Sequence, residues 1–526
     1  MNAVSSPNDF PPLAREMIRS LNEQLADRDE QLADKEAAIE ELTEQVRLLK
    51  AMYFAKRSEQ QNKPAHDETQ YRLFDEAEFV TEQEPEQESE TIQVPAHSRA
   101  KTGRKPIPAE YPREEMIHDI PEEDKICPCG CTLTRIGEEV SEKLDYTPAK
   151  IKVLRHIRPK YACRGCEGVE DDGPTVKTAP MPPQIIPQGI VTPGLLSFIL
   201  INKFVDGLPF YRQERMFDRL GVQISRATMS GWAMRAVRAC EPLVELLYGE
   251  IRSGPIINMD ETTVQVLREP GRKNTSKSQM WVARGGPPKH PVVLFHYDPS
   301  RSGEVAKAIV GDFQGYLQTD GYAGYNAVGE AEGITHVGCL VHVRRKFMDV
   351  LKSGSKKSKG GTAKTVVDLI GKIYHLEKQA REQELEPDQI RDMRQERAKP
   401  LMDKIKALLI EREKTTPPKG LLGKAVTYGL GQWSRIEVYL EDGRLSPDNN
   451  VAENAIRPFA VGRKNWLFSG SPRGAAASAA IYSLIETARA NSLNPYDYLL
   501  HVFEKLPCAS TSEDIQALLP KNLVPE

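Results

Sequence analysis

The sequence predicts a multi-domain α/β protein, and three observations carry that prediction. Two apolar runs each end in an aspartate, Pro255–Met259 before Asp260 and Gly315–Thr319 before Asp320, in the manner of strands in a sheet. A heptad pattern opens the chain, and five of its eight cysteines fall between Cys127 and Cys166. At 526 residues the chain is too long for one ordinary domain. A hydrophobic fraction of 39% suffices for several cores, while 28% charged residues and 38 prolines imply linkers between them.

The first element, residues 13–56, is read as a coiled-coil helix. Ile18, Leu25, Leu32, Ile39, Val46 and Tyr53 occupy position a, with Leu21, Leu42 and Leu49 at d. Arg28 and Lys35 interrupt the d row, so the seam is narrow. This predicts a homo-multimer held through the N-terminus, with a solvated helix docked on its own chain as the plainer reading. Residues 57–109 read as a disordered linker: Phe74–Glu90 holds eight acidic and no basic residues, and the basic stretch SRAKTGRKPIP follows. Its Gly103-Arg104-Lys105-Pro106 is either a minor-groove arm or a charged tether. The formal net charge of −4 therefore hides basic patches that suit a nucleic acid.

Residues 110–174 read as a small zinc-binding module, with free buried thiols as the plainer alternative. Cys127, Cys129 and Cys131 precede Cys163 and Cys166, with strand-like sequence between, and two cysteines from each group suit tetrahedral structural Zn²⁺. One of the first three thiols is surplus. Residues 185–249 predict three helices, broken at Gly207-Leu208-Pro209 and Leu220-Gly221-Val222, with Ser225 as N-cap of the third. A helix-turn-helix layout of this kind puts Arg226, Thr228 and Ser230 where DNA is met, unless the helices only pack together.

Residues 250–470 change texture. Three successive strands, a helix, a strand, a helix and a strand reproduce the order of a ribonuclease-H-like core, interrupted by an all-helical, highly charged insertion at about 353–440. Residues 471–526 close the chain as a C-terminal helical domain.

Asp260 and Asp320 at strand ends, with Glu453 on a distant helix, are the residue types that hold two divalent metals, Mg²⁺ or Mn²⁺, around a phosphodiester. Glu261, Asp442 and Asp448 are rival ligands. Phosphoryl transfer also needs fixed positive charge, which Arg344, Arg345, Lys346, Arg457, Arg463 and Lys464 offer. Trp466 either stacks on an unpaired base or is buried. Cys339 and His342 form an isolated Cys-x-x-His pair, either with a satisfied core histidine, the plainer reading, or positioned just after a core strand to support the carboxylates. No apolar run approaches the roughly 20 residues of a membrane span, and no secretory pattern opens the chain, so the expected location is cytoplasmic, on the nucleoid when DNA is bound.

MDETTVQVL, YLQTDGYAGYN, GCLVHVRRKF, the cysteine block with SEKLDYTPAKIKVLRHIRPKYAC, and AENAIRPFAVGRKNWLFSGSPRGAAASAAIYSLIETARANSLNPYDYL together resemble bacterial insertion-sequence-66 family transposases, from about Val46 to Phe503. The resemblance implies a leucine-zipper-like N-terminus, a zinc module, a helix-turn-helix region, a ribonuclease-H-like catalytic domain and a short C-terminal domain. It implies Asp260, Asp320 and Glu453 as the acid triad, and it maps the family's Cys-x-x-His motif onto Cys339 and His342. The expected partners are double-stranded DNA, as terminal inverted repeats and target, with room for accessory proteins of the same element. The first knuckle, CPCGC, departs from a regular Cys-x-x-Cys and leaves the zinc ligands open. Two other readings remain from the residues: a DNA-binding regulator with an inert acid cluster, and a metal-dependent nuclease without strand transfer.

Overall fold

A computed structural model describes residues 151–162, 176–353 and 361–523, together with Met17, Ser20 and Arg28, which are helical and exposed. The remainder of the heptad stretch, the linker and all five cysteines from Cys127 to Cys166 lie outside the described residues. The chain divides into two compact units, Asp75–Pro180 and Met1–Phe74 with Met181–Glu526. In the first, β1 (Lys160–Ala162) pairs antiparallel with β2 (Val176–Thr178), and Arg158 donates to the Ala179 carbonyl at 3.0 Å.

The second unit begins with three helices, α1 (Pro193–Phe204), α2 (Phe210–Arg219) and α3 (Arg226–Glu250). Thr192 caps α1 by accepting from the Leu195 N–H, and Ser225 caps α3 by accepting from the Thr228 N–H. The breaks fall at Gly207 and Gly221, both at positive φ (68° and 79°), which a side chain would resist. Gln213 fixes the first pair by donating to the carbonyls of Ile199 and Leu208. Along α3, Met229, Trp232, Ala233, Ala236, Cys240, Leu243 and Leu247 recur at helical spacing and are buried.

A mixed sheet follows. Its strands are β3 (Ile256–Gln265), β4 (Lys277–Gly285) and β5 (Val292–Asp298), then, after α4 (Gly303–Val310), β6 (Gly315–Gln318) and β7 (Ile334–Val337). The spatial order is β5-β4-β3-β6-β7, antiparallel on the β5 side and parallel from β3 to β7. β3 is central and reads as nearly continuous burial, as a strand inside a covered sheet does.

After β7 the chain enters α5 (Leu340–Ser353) and a helical block of α6 (Thr362–Glu382), α7 (Pro387–Met393), α8 (Lys399–Thr415) and α9 (Leu421–Glu437). This block shares a core with α5 through Val343, Phe347, Val366, Ile370, Met402, Leu409 and Trp433. Arg394, buried between α7 and α8, is held by both oxygens of Glu377 and donates to the carbonyls of Tyr439, Asp442 and Leu445. A buried guanidinium is tolerated only when its donors are satisfied so fully. Its effect is to fasten the return segment 439–445 that delivers the chain to α10 (Asn450–Trp466).

The C-terminal helices are α11 (Pro472–Ala490) and α12 (Pro495–Lys505). An edge strand exposes unpaired backbone groups, and α11 covers those of β5. Ser483 accepts from the Phe295 N–H at 2.8 Å; Thr487, one turn on, accepts from the Val293 N–H and donates to its carbonyl, both at 3.0 Å. No described helix is long and apolar enough to cross a membrane.

Candidate active site

The parallel pairing of β3 with β6 puts Asn258 opposite Gln318. Side chains alternate along a strand, so Asp260 and Asp320, each two residues further, fall on a common face. Asp260 is not at a strand end as expected but in the middle of β3, which continues to Gln265, while Asp320 lies just beyond β6. The third segment is brought in by amides. Asn258 donates to Gln318 Oε1 at 2.9 Å and to Asn449 Oδ1 at 3.1 Å, and Asn449 donates to the Met259 carbonyl at 2.8 Å. Gln318 donates to the Ser446 carbonyl at 2.8 Å. These three amides are 1–7% exposed, and each lies two or four residues before one of the acids. They tie β3, β6 and the start of α10 together, and Glu453 lies in the first turn of that helix.

The electrostatics register the convergence. The Asp260 carboxyl is raised well above its ordinary value, by burial first and then by the charges of Glu261, Glu453 and Asp320. Its Oδ1 accepts from the Glu261 N–H at 2.8 Å, while Oδ2 is buried with no hydrogen-bond partner. Burial likewise raises Asp320, opposed by the Tyr322 N–H and by the charges of Arg301 and Arg345. A buried group of acids with an orphaned oxygen fits divalent cations, which would supply the positive charge that the site lacks.

Glu261 joins the cluster but is already committed. Arg301 donates to its Oε1 through Nε at 2.8 Å and through Nη2, and the Tyr325 hydroxyl donates to Oε2. The same guanidinium lies 3.8 Å from the centre of the Tyr322 ring. Asp442 pairs with Arg444, which holds its carboxyl below the usual range, and Asp448 accepts from the Asn450 N–H at the start of α10. Both rivals are thus occupied in building the return segment.

Cys339 and His342 sit at the start of α5 beside Glu453. His342 Nε2 is 3.8 Å from Glu453 Oε1, and Arg345 Nη2 is 4.0 Å from Oε2. Burial, then Arg345 and Lys346, pulls His342 down to about 3, so the ring is neutral near pH 7.

The basic residues are distributed unevenly. Lys346 and Lys464 are exposed, with Lys346 Nζ 5.7 Å from the centre of the Tyr428 ring. Arg344 lines a separate groove with Lys372, His375 and Arg397. Arg457 is half-buried with its Nε lacking a partner, whereas Arg463 donates to Thr262 Oγ1 and to the Thr263 carbonyl, bracing α10 on β3. Trp466 packs edge-on against Phe459, with Lys203 5.7 Å from its ring centre, so in the free protein it is a packing residue. Arg226, Thr228 and Ser230 are exposed at the start of α3.

The family model described as "Transposase IS66 family" matches residues 188–477, from before α1 through α10. The chain belongs to the IS66 transposase family. Three further models of IS66-type segments match it. The zinc-finger binding domain of transposase IS66 covers 124–167, which includes all five clustered cysteines; the IS66 C-terminal element covers 483–520; and the model described as "Transposase C of IS166 homeodomain" covers 41–116. That last match spans the end of the heptad stretch, all of the stretch read as linker and the first residues of the predicted zinc module. Two Sinorhizobium fredii (strain NBRC 101917 / NGR234) proteins are similar over most of their length. Protein y4jD is 35% identical over 79% of this chain and 81% of its own, and y4qI is 30% identical over 93% and 90%. Both are named only as uncharacterized proteins.

Membership in the IS66 family indicates a transposase-type enzyme that uses divalent metal, carries a zinc finger and has DNA as its partner. The features of this IS66 chain that sequence reading missed are the amide clamp and the Arg301–Glu261–Tyr325 group. The available signal for the clamp was an amide two residues before each aspartate, Asn258 and Gln318, at positions where an apolar strand residue is the usual choice.

Proposed function

We propose that the protein is a ribonuclease-H-like DNA transposase that cleaves strands at the ends of its element and joins the freed 3′-OH to target DNA. Asp260, Asp320 and Glu453 would hold the divalent ions. The observation that carries this reading is the amide network of Asn258, Gln318 and Asn449, which ties together the segments bearing Asp260, Asp320 and Glu453 from far apart in the chain. The strand order, with three antiparallel strands and then two parallel ones, supports the ribonuclease-H-like assignment.

When bound, the ions supply charge neutralisation at the scissile phosphate and lower the proton affinity of the attacking hydroxyl. The chain's own residues do the rest. The amide clamp holds the two aspartates level with α10. Arg345 offsets negative charge beside Glu453 and Asp320. Exposed Lys346 and Lys464 are suited to phosphate contacts that fix the duplex without reading it, and Arg226 and Thr228 are suited to the element ends.

The test separates transposition from simple hydrolysis. Purified protein with Mg²⁺ and pre-cut ends bearing a free 3′-OH is expected to yield joined product on gels. Cleavage of intact ends with no joining from pre-cut ends would leave a nuclease only. End binding with neither reaction would leave a regulator.

A further inference from the structure

Cys339, His342 and Glu453 offer one sulfur, one nitrogen and one oxygen that all lie within 4.8 Å of one another, a grouping found among the described residues only here. Three unlike donors this close are already near the spacing required by a tetrahedral ion, with a fourth position left for water. The local backbone favours sulfur as a ligand. Cys339 immediately precedes α5, a helix of 14 residues, so its Sγ faces the positive end of the helix dipole. The Asn449 N–H donates to that sulfur at 3.2 Å, the kind of outer hydrogen bond that steadies a bound thiolate. His342 Nδ1 is buried with no hydrogen-bond partner, and its ring is neutral, the form that coordinates metal.

We propose that Cys339, His342 and Glu453 form a second metal site, selective for a thiophilic divalent ion such as Zn²⁺, and that its occupation withdraws Glu453 from the acid cluster. The hard-oxygen site of Asp260 and Asp320 suits Mg²⁺, whereas a sulfur–imidazole–carboxylate set suits Zn²⁺. The two sites share Glu453, so filling one empties the third position of the other. The binding step is balanced: the Cys339 thiol releases one proton to solvent, and thiolate plus carboxylate neutralise the dication. Neutrality matters because Cys339 is 3% exposed, and burial with the charges of Glu453 and Asp448 keeps the metal-free thiol protonated.

The metal site is independent of the transposase reading; only its inhibitory consequence rests on that reading. The experiment is metal counting on the full chain equilibrated with Zn²⁺ or Co²⁺, comparing wild type with Cys339→Ser. The wild type is expected to retain one equivalent more than Cys339→Ser, with a thiolate-to-cobalt absorption band that the variant loses in part. Loss of a direct ligand should weaken binding by at least about 100-fold, the upper range for losing even an outer hydrogen-bond partner. His342→Gln, made in case Cys339→Ser does not fold, is expected to lose the same equivalent. Equal metal content in wild type and in whichever of these variants folds would overturn the site. In Mg²⁺-dependent cleavage, one added equivalent of Zn²⁺ beyond the zinc-finger requirement should inhibit wild type and leave the rate of Cys339→Ser unaltered relative to its own zinc-free rate. Inhibition of both alike would overturn the sharing of Glu453. A protein that cuts no DNA would still report on the site through the metal count.

Discussion

Asp260→Asn is expected to abolish strand cleavage while leaving binding of element ends largely intact. Removing one charged ligand from a metal pair forfeits several kcal/mol of transition-state stabilisation, and at about 1.4 kcal/mol per tenfold this is a loss of roughly 1000-fold or more. The same substitution should raise the thermal midpoint of the metal-free protein at pH 7. The sign follows from linkage: the folded-state value of Asp260 is raised above the ordinary 3.8, so its contribution to stability is full below that value and is lost as pH rises through the folded value. The neutral amide removes that loss, so the stability gain should disappear as pH falls toward 4. Added Mg²⁺ should stabilise wild type and not the variant, because only a folded state that binds the ion gains from it. Unimpaired nicking by Asp260→Asn would remove it from the catalytic group, and a variant less stable than wild type at pH 7 would refute the electrostatic account.

The second large effect concerns the amide clamp. Asn449→Ala deletes the acceptor of Asn258 and the donor to the Met259 carbonyl in a region almost closed to solvent. Orphaning buried polar groups costs about 1–3 kcal/mol each, so a destabilisation of about 2–4 kcal/mol is expected in denaturant titrations. Glu453 lies one helical turn on, and a displacement near 1 Å is enough for a roughly 100-fold fall in cleavage. End binding should change far less. A variant as stable and active as wild type would mean that α10 is positioned by packing alone, through Ala452, Ile456 and Phe459.

The contrast between these two predictions marks what the sequence disclosed. Asp260 and Asp320 stood out as carboxylates following apolar runs, yet the strand-end reading was wrong for Asp260, because β3 runs on to Gln265 in its pairing with β4. The strand and helix sequence was legible by periodicity, and Ser225 was legible as a cap because its bond is local. Pro458 did not obscure α10, since the surrounding apolar spacing persists through it. The clamp was hidden because Asn258, Gln318 and Asn449 gain their meaning from partners 60 and 191 residues apart. Glu261 was only a rival ligand until Arg301, 40 residues away, occupied it. Arg463 read as a phosphate contact by its charge, yet its guanidinium reaches the Thr263 carbonyl, a backbone acceptor that no pattern announces. The role of Ser483 and Thr487 depends on the open edge of β5, 188 and 194 residues away, which supplies their backbone partners.

The central claim is that Glu453 joins Asp260 and Asp320 around shared divalent ions. Anomalous diffraction from crystals of the protein with element-end DNA and Mn²⁺ tests it most directly. The account predicts manganese peaks held by Asp260 and Asp320, with Glu453 having left His342 and Arg345 to ligate one of them. Manganese held by Asp260 and Asp320 while Glu453 remains against His342 and Arg345 would contradict it.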